Sequence, residues 1–181
     1  MSPDQEDNAN KRCDCPPSPD GKFAFLTSGG EDHIIELIDK KSGKKLQRID
    51  RQDMPGTFWH VLWGSDSDRF ALMTRMGHPI QGVYVYFRSG ENFQKIDLPD
   101  LPEANIPEKL KQGKKFPHVS AQNWEEAKEW KKDGSLVVTI DSTIDGEGTS
   151  LTATRTVVLA FDRAGKARIV KSTIKYRTSS E

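Results

Sequence analysis

Four side chains able to contact a ligand flank or enter one glycine-bounded loop: Trp59, His60, Arg75 and His78. His78 lies in the segment Gly77–Gly82, between two apolar stretches with the composition of strands. Loops held by a rigid scaffold are where binding residues concentrate. We therefore predict a surface binding site formed by these four residues. The alternative is that Trp59 and Trp63 share the hydrophobic core, with the histidines at its edge.

The segment Asp141–Gly148 has oxygen-bearing side chains at alternate positions and glycine at the sixth, as calcium loops do. Its twelfth position is Thr152, which cannot supply the bidentate carboxylate that completes such a loop. The segment is therefore better explained as a hairpin turn, and no metal site is predicted. The four histidines also lack a ligand spacing; they are His33, His60, His78 and His118.

No pattern typical of a catalytic centre stands out. The serines lie in turn-like segments, and no Gly-x-Ser-x-Gly elbow or helix-opening phosphate loop is present. We predict no catalytic residue and no cofactor. A small hydrolase-type enzyme remains an alternative, because the fold could bring two carboxylates together for acid–base chemistry.

The last part of the chain is basic. Six lysines and arginines and no acidic residue occur from Arg163 to Arg177. A second basic stretch contains Lys109, Lys111, Lys114 and Lys115. These groups could bind an acidic partner protein or another polyanion. The alternative is that lysines on an edge strand prevent aggregation with other strands.

Composition excludes some classes of protein. The 181 residues include 27 basic and 27 acidic ones, whereas a general nucleic-acid or membrane-surface binder needs a basic excess. We therefore expect no nucleic-acid partner. No apolar run approaches the length of a membrane span, so none is predicted.

The N-terminal segment bears on localisation. Residues 1–16 are polar or turn-forming and are expected to be a disordered or loosely held tail. Cys13 and Cys15 are expected to be two thiols in that tail, because their spacing is poor for a relaxed disulfide. A polar leader before a β-rich body favours an exported protein, periplasmic or secreted, whose signal has been removed. The alternative is a cytoplasmic protein.

Residues 17–177 are expected to form one antiparallel β domain, followed by a tail at 178–181. Apolar residues amount to 34%, which indicates a thin core. The segment 123–130 is the best helix candidate, with Asn123 as cap and two glutamates in its first turn. One further helical turn is possible at Glu108–Gln112.

A short turn leads into an apolar strand three times along the chain. The turns are Pro17–Gly21, Trp63–Asp68 and Trp130–Gly134, and the strands after them begin near Phe23, Phe70 and Leu136. A second apolar strand and a further turn follow each time. Asp-Gly and related dipeptides supply the turns, because they accept left-handed backbone conformations.

This arrangement resembles the blades of Tol-type and WD-repeat β-propellers, most clearly over residues 18–44 and 130–166. The resemblance implies sheets packed face to face. Propellers close with roughly four to eight blades, whereas this chain has three unevenly spaced blocks. We therefore predict an all-β fold of roughly 8–10 antiparallel strands. It would be sandwich-like or a partial propeller.

These features predict a non-catalytic binding or accessory protein. It would act through a protein–protein or envelope-component contact made by loops or by the C-terminal edge strand. One alternative is an inhibitor that inserts the loop near Gly77–Gly82 into the cleft of a hydrolase; the other is the enzyme considered above. A protein partner is expected, and the sequence leaves the oligomeric state open.

Overall fold

The computed structural model describes residues 13–28, 34–49, 59–75 and 81–180. They form twelve strands and one short helix. The strands are β1 (Cys13–Asp14), β2 (Phe23–Ser28), β3 (Ile34–Asp39), β4 (Lys45–Ile49), β5 (Trp59–Trp63), β6 (Arg69–Arg75), β7 (Gln81–Ser89), β8 (Asn92–Ile96), β9 (His118–Trp130), β10 (Leu136–Gly146), β11 (Thr149–Phe161) and β12 (Ala167–Ser180), and the helix is α1 (Glu108–Lys111).

The strands form three sheets that follow one another along the chain. The first sheet has the order β2-β3-β4, and the central sheet has the order β5-β6-β7-β8 with β1 added in parallel beside β5. The third sheet has the order β12-β11-β10-β9. Apart from the β1–β5 pair, the strands pair antiparallel.

The central sheet is buried on both faces. On β6, Phe70 and Leu72 pack in a cluster with residues of the first sheet, whereas Ala71 and Met73 pack in a second cluster with residues of the third sheet. Successive residues of a strand point to opposite faces, so the near-continuous apolar run of β6 fits a middle layer. The fold is therefore all-β and sandwich-like, as predicted.

The prediction of a helix at 123–130 is wrong, because this segment belongs to β9. Ala127 and Glu125 pair with Val138 and Ile140 of β10. Such a short isolated helix is marginal in water, so pairing with the apolar strand β10 overrides its local preference. The helical turn expected at 108–112 is confirmed as α1.

The structure adds two strands that the sequence did not predict, β1 and β9. The segment Asp141–Gly148 is a hairpin, as expected, but most of it is strand, and only Glu147 and Gly148 form the turn. Gly148 has a φ of 63°, which suits glycine in this tight turn. The last strand continues to Ser180, beyond the expected end of the domain at 177.

Residues 13–16 of the expected tail are held against the central sheet. β1 pairs with Trp59 and His60, and the indole Nε1 of Trp63 donates a 2.8 Å hydrogen bond to the Pro16 carbonyl. Cys15 is disulfide-bonded and packs against the first core cluster. The expectation of two thiols in a loosely held tail is therefore wrong, because Cys15 is disulfide-bonded and the stretch around it is fixed to the sheet. Residues 1–12 lie outside the described residues.

Within the described part of the chain, no helix has the length and apolar character that crossing a membrane requires.

Candidate binding surfaces

The predicted site falls at one end of the central sheet. Trp59 and His60 begin β5, and Arg75 ends the neighbouring β6. Trp59 pairs with Thr74, and His60 with Met73, so the backbone positions of all three predicted residues are adjacent. The half-buried His60 lies on the face of the second core cluster. His78 and most of its loop lie outside the described residues, so this site remains a prediction.

Trp63 takes the core position that the alternative interpretation gave it. It is buried and lies within 6.2 Å of Phe23 and 5.0 Å of Phe70 between ring centroids. The alternative is therefore confirmed for Trp63, whereas the side chain of Trp59 lies outside the described part of the structure.

At the opposite end of the sheets, the three repeated turns lie side by side. Gly21, Ser67 and Gly134 occupy the same place in each turn, with a positive φ and an amide that donates to the carbonyl three residues earlier. The Asp20 amide donates to Ser67 Oγ at 3.0 Å, which joins the first turn to the second. Arg69 Nη1 donates to the Gly134 carbonyl at 3.2 Å, which joins the second to the third.

The carboxylates of these turns are fixed by hydrogen bonds. Partial burial raises the pKa of Asp20, but hydrogen bonds from the Ser18 hydroxyl and the Lys22 amide, with the Lys22 ammonium, outweigh it and lower the pKa to about 2. Asp66 is held by the guanidinium of Arg69. Both acids therefore help to hold the turns in place through these partners.

The longest exposed feature is β12, the edge strand of the third sheet. It pairs with β11 along one side, and its other side carries no partner strand among the described residues. Nearly all of its fourteen residues are exposed, including Val170 at 46% and Tyr176 at 45%. Such an edge presents a row of backbone donors and acceptors to another chain.

The exposed edge is also basic. β12 carries Arg168, Lys171, Lys175 and Arg177 and no acidic residue. None of the four forms an ion pair with the described part of the chain. The second predicted basic stretch lies around α1, where Lys111 pairs with Glu108 at 2.6 Å.

A shallow cavity of about 640 Å³ adjoins β12 on the outer face of the third sheet. Its lining combines threonines with one acidic and two basic side chains: Asp141, Thr143, Thr152, Thr154, Lys175, Tyr176 and Arg177. The edge strand therefore borders a polar groove that could receive side chains of a partner.

A second cavity, of about 430 Å³, lies between the central and third sheets and is lined by Gln81, Gly82, Val83, Tyr84, Gln122, Asn123 and Glu125. Glu125 Oε2 accepts a 3.0 Å hydrogen bond from the Val83 amide, and Gln81 Nε2 donates to the Glu125 carbonyl at 2.8 Å. Burial raises the pKa of Glu125, and the bond from Val83 compensates only in part. Sequence reasoning missed this acid, because it placed Glu125 on a helix.

A histidine, an aspartate and serines also meet at the far end of the third sheet. His118, Asp145 and Ser150 lie in one cross-strand row. Ser150 Oγ donates to Asp145 Oδ1 at 2.6 Å, and hydroxyls of Ser150 and Ser120, with His118, lower the pKa of Asp145. A nucleophilic triad needs the serine bonded to the histidine. Here the serine is bonded to the carboxylate instead.

Among the described residues, no group of three histidine, cysteine, aspartate or glutamate side chains is arranged to hold a metal ion. Searches against protein-family models and against curated protein sequences found no match to the chain. The fold and its surfaces therefore define only a class, an all-β protein of stacked antiparallel sheets with one long basic edge.

Proposed function

We propose that the protein is a non-catalytic binding protein whose principal contact is the free edge of β12. The partner is an extended acidic segment of another protein, which adds to the third sheet as a further strand. The observation that carries this proposal is a fourteen-residue edge strand that is exposed, basic and unpaired along one side within the described structure.

The backbone supplies the first reason. Strand addition to an open sheet edge gives affinity through main-chain hydrogen bonds, and side-chain contacts give specificity. Native proteins usually shorten, cover or bend their edge strands, or place lysines on them. β12 is long, and its one irregularity is the register shift between its pairs with Val158 and Leu159.

Charge selects the chemistry of the partner. The chain as a whole is neutral, so the excess of lysine and arginine on β12 is local. A second copy is a poor partner, because antiparallel pairing of two β12 strands about Thr173 would place Lys171 opposite Lys175. Like charges directly opposite each other destabilise a strand pair, whereas opposite charges stabilise it. An acidic segment meets this requirement.

The proposal includes an exported protein, periplasmic or secreted. The disulfide at Cys15 supports this, because disulfides persist in oxidising compartments and are rare in the cytosol. We also include a blade-like relation between the sheets. Three consecutive sheets stacked in chain order, with repeated turns at one end, support the resemblance to propeller blades.

Binding of a short labelled peptide that alternates glutamate with valine tests the proposal by fluorescence anisotropy. The double variant Lys171→Glu/Lys175→Glu should weaken binding about tenfold or more, because two attractive cross-strand pairs become repulsive. The matched control is Lys109→Glu/Lys114→Glu, which makes the same charge change near α1 and should bind like the wild type. Equal weakening by both variants would show a general charge effect and overturn the proposal.

A further inference from the structure

We propose that the cavity beside Glu125 binds an organic ammonium group, carried by a free amine or by a lysine side chain of another protein. The cavity lies against β9, at the edge of the third sheet opposite β12. The inference is therefore independent of the proposed edge-strand contact, and either can fail without the other.

The geometry of the carboxylate is the first reason. Glu125 is half-buried, and its Oε2 atom accepts the hydrogen bond from Val83. Its Oε1 atom accepts no hydrogen bond from the described residues, and Glu125 is one of the residues that line the cavity. A buried charge is costly unless it is paired. A cation in the cavity would supply that pair.

Among the described residues, no cationic side chain meets this requirement. Arg155 lies in the same cross-strand row as Glu125, but Ile140 of β10 stands between them. The Arg155 guanidinium donates to the Glu103 carbonyl at 2.8 Å and to Ser172 Oγ at 3.2 Å. β7 contributes uncharged Gln81, Gly82, Val83 and Tyr84 to the cavity. Lys128 of β9 pairs with Glu126 instead.

The acceptors around the cavity favour an ammonium group over a metal ion. Calcium takes 6–8 oxygen ligands, and zinc prefers nitrogen and sulfur. Here one carboxylate oxygen of Glu125 accepts no hydrogen bond from the described residues. Gln81 uses its Nε2 in the bond to the Glu125 carbonyl, which leaves its amide oxygen as a further acceptor. An ammonium carries three donors and needs few acceptors. A volume of about 430 Å³ suits a small amine or one lysine side chain.

Titration with butylammonium, followed at the Val83 amide by NMR, tests the site. The wild type should show a saturable shift, and neutral butanol should show none. Glu125→Gln should weaken binding about tenfold or more, because the charge-assisted hydrogen bond is lost. The matched control is Glu126→Gln, a change of the adjacent residue on the other face of β9, and it should bind as the wild type does.

Two further measurements complete the test. A blocked lysine peptide that binds more tightly than butylammonium would identify the source as a protein side chain, and the reverse order would identify a free amine. If Glu125→Gln does not fold, the wild type serves, because its binding should disappear as pH falls through the pKa of Glu125. A Val83 shift that butanol reproduces, or that persists unchanged after protonation or in the variant, would overturn the inference.

Discussion

The indole Nε1 of Trp130 donates a 3.0 Å hydrogen bond to the carbonyl oxygen of Leu62. Trp63 makes the equivalent bond to the Pro16 carbonyl at 2.8 Å. Each tryptophan is the first residue of a repeated turn as defined above. Each acceptor, Pro16 or Leu62, is the residue just before the first residue of the preceding repeated turn. The repeat in the sequence is thus a repeat of contacts, in which each sheet is tied to the preceding one.

This relationship predicts matched losses of stability. Trp63→Phe and Trp130→Phe should each lower the free energy of unfolding by about 1 kcal/mol or more, because a hydrogen bond and some packing are lost. Urea unfolding followed by circular dichroism measures the change. Tyr176→Phe, an exposed aromatic change on β12, is the control and should have little effect. A neutral Trp130→Phe variant would show that the bond does not hold the sheets together.

The turn at Gly134 predicts a graded pair of glycine variants. Gly134 has a φ of 82°, and an added Cβ would lie 2.5 Å from Arg69 Nη1. Gly90 has a similar φ of 66° with open space around it. Gly90→Ala should cost about 1 kcal/mol for the left-handed backbone alone. Gly134→Ala should cost more, because it also displaces Arg69; equal thermal shifts would contradict that role for Arg69.

Asp20 predicts a loss of stability in acid. Its pKa is lowered to about 2 in the folded chain from the ordinary value of 3.8. Its contribution is therefore present above pH 3.8 and disappears as pH falls through about 2. Asp20→Asn should lower the free energy of unfolding at neutral pH by about 1 kcal/mol after allowance for solvent screening. The free energy of unfolding of this variant should also fall less steeply than that of the wild type as the pH is lowered. Asp97→Asn, an exposed acid, is the control. If the loss of stability in acid were the same in Asp20→Asn as in the wild type, Asp20 would not be its source.

Glu125 should make the free energy of unfolding change with pH in the opposite direction. Burial raises its pKa in the folded chain, so its contribution to stability is largest below the unfolded pKa and falls as pH rises through the folded pKa. Glu125→Gln should therefore be more stable than the wild type at neutral pH and should lose this slope. Denaturant unfolding at several pH values measures it, with Glu126→Gln as the control. A variant less stable than the wild type at neutral pH would contradict a destabilising buried charge.

The sequence predicted the class of fold and ten of the strands because strand periodicity and turn residues are local signals. The lysines and arginines from Arg163 to Arg177 predicted a basic edge strand. The structure places this strand as β12, and nearly all of its residues are exposed because it lies at the edge of its sheet.

The sequence failed at β9 and at the N-terminal stretch because both depend on distant partners. The residues next to Glu125 and Ala127 in the sequence favour a helix, yet β10 provides the hydrogen bonds that make the segment a strand. Cys15 lies in a polar leader, yet the adjacent Pro16 carbonyl is the acceptor for Trp63. The cavity beside Glu125 could not be found until that acid was placed on a strand facing β7.

Hydrogen–deuterium exchange of β12, with and without the peptide that alternates glutamate and valine, tests the central claim most directly. Strand addition should slow exchange of the outward amides of β12 and leave β9, at the other edge of the third sheet, unchanged. Saturable binding of the peptide without any slowing in β12 would contradict the claim that this edge is the binding surface.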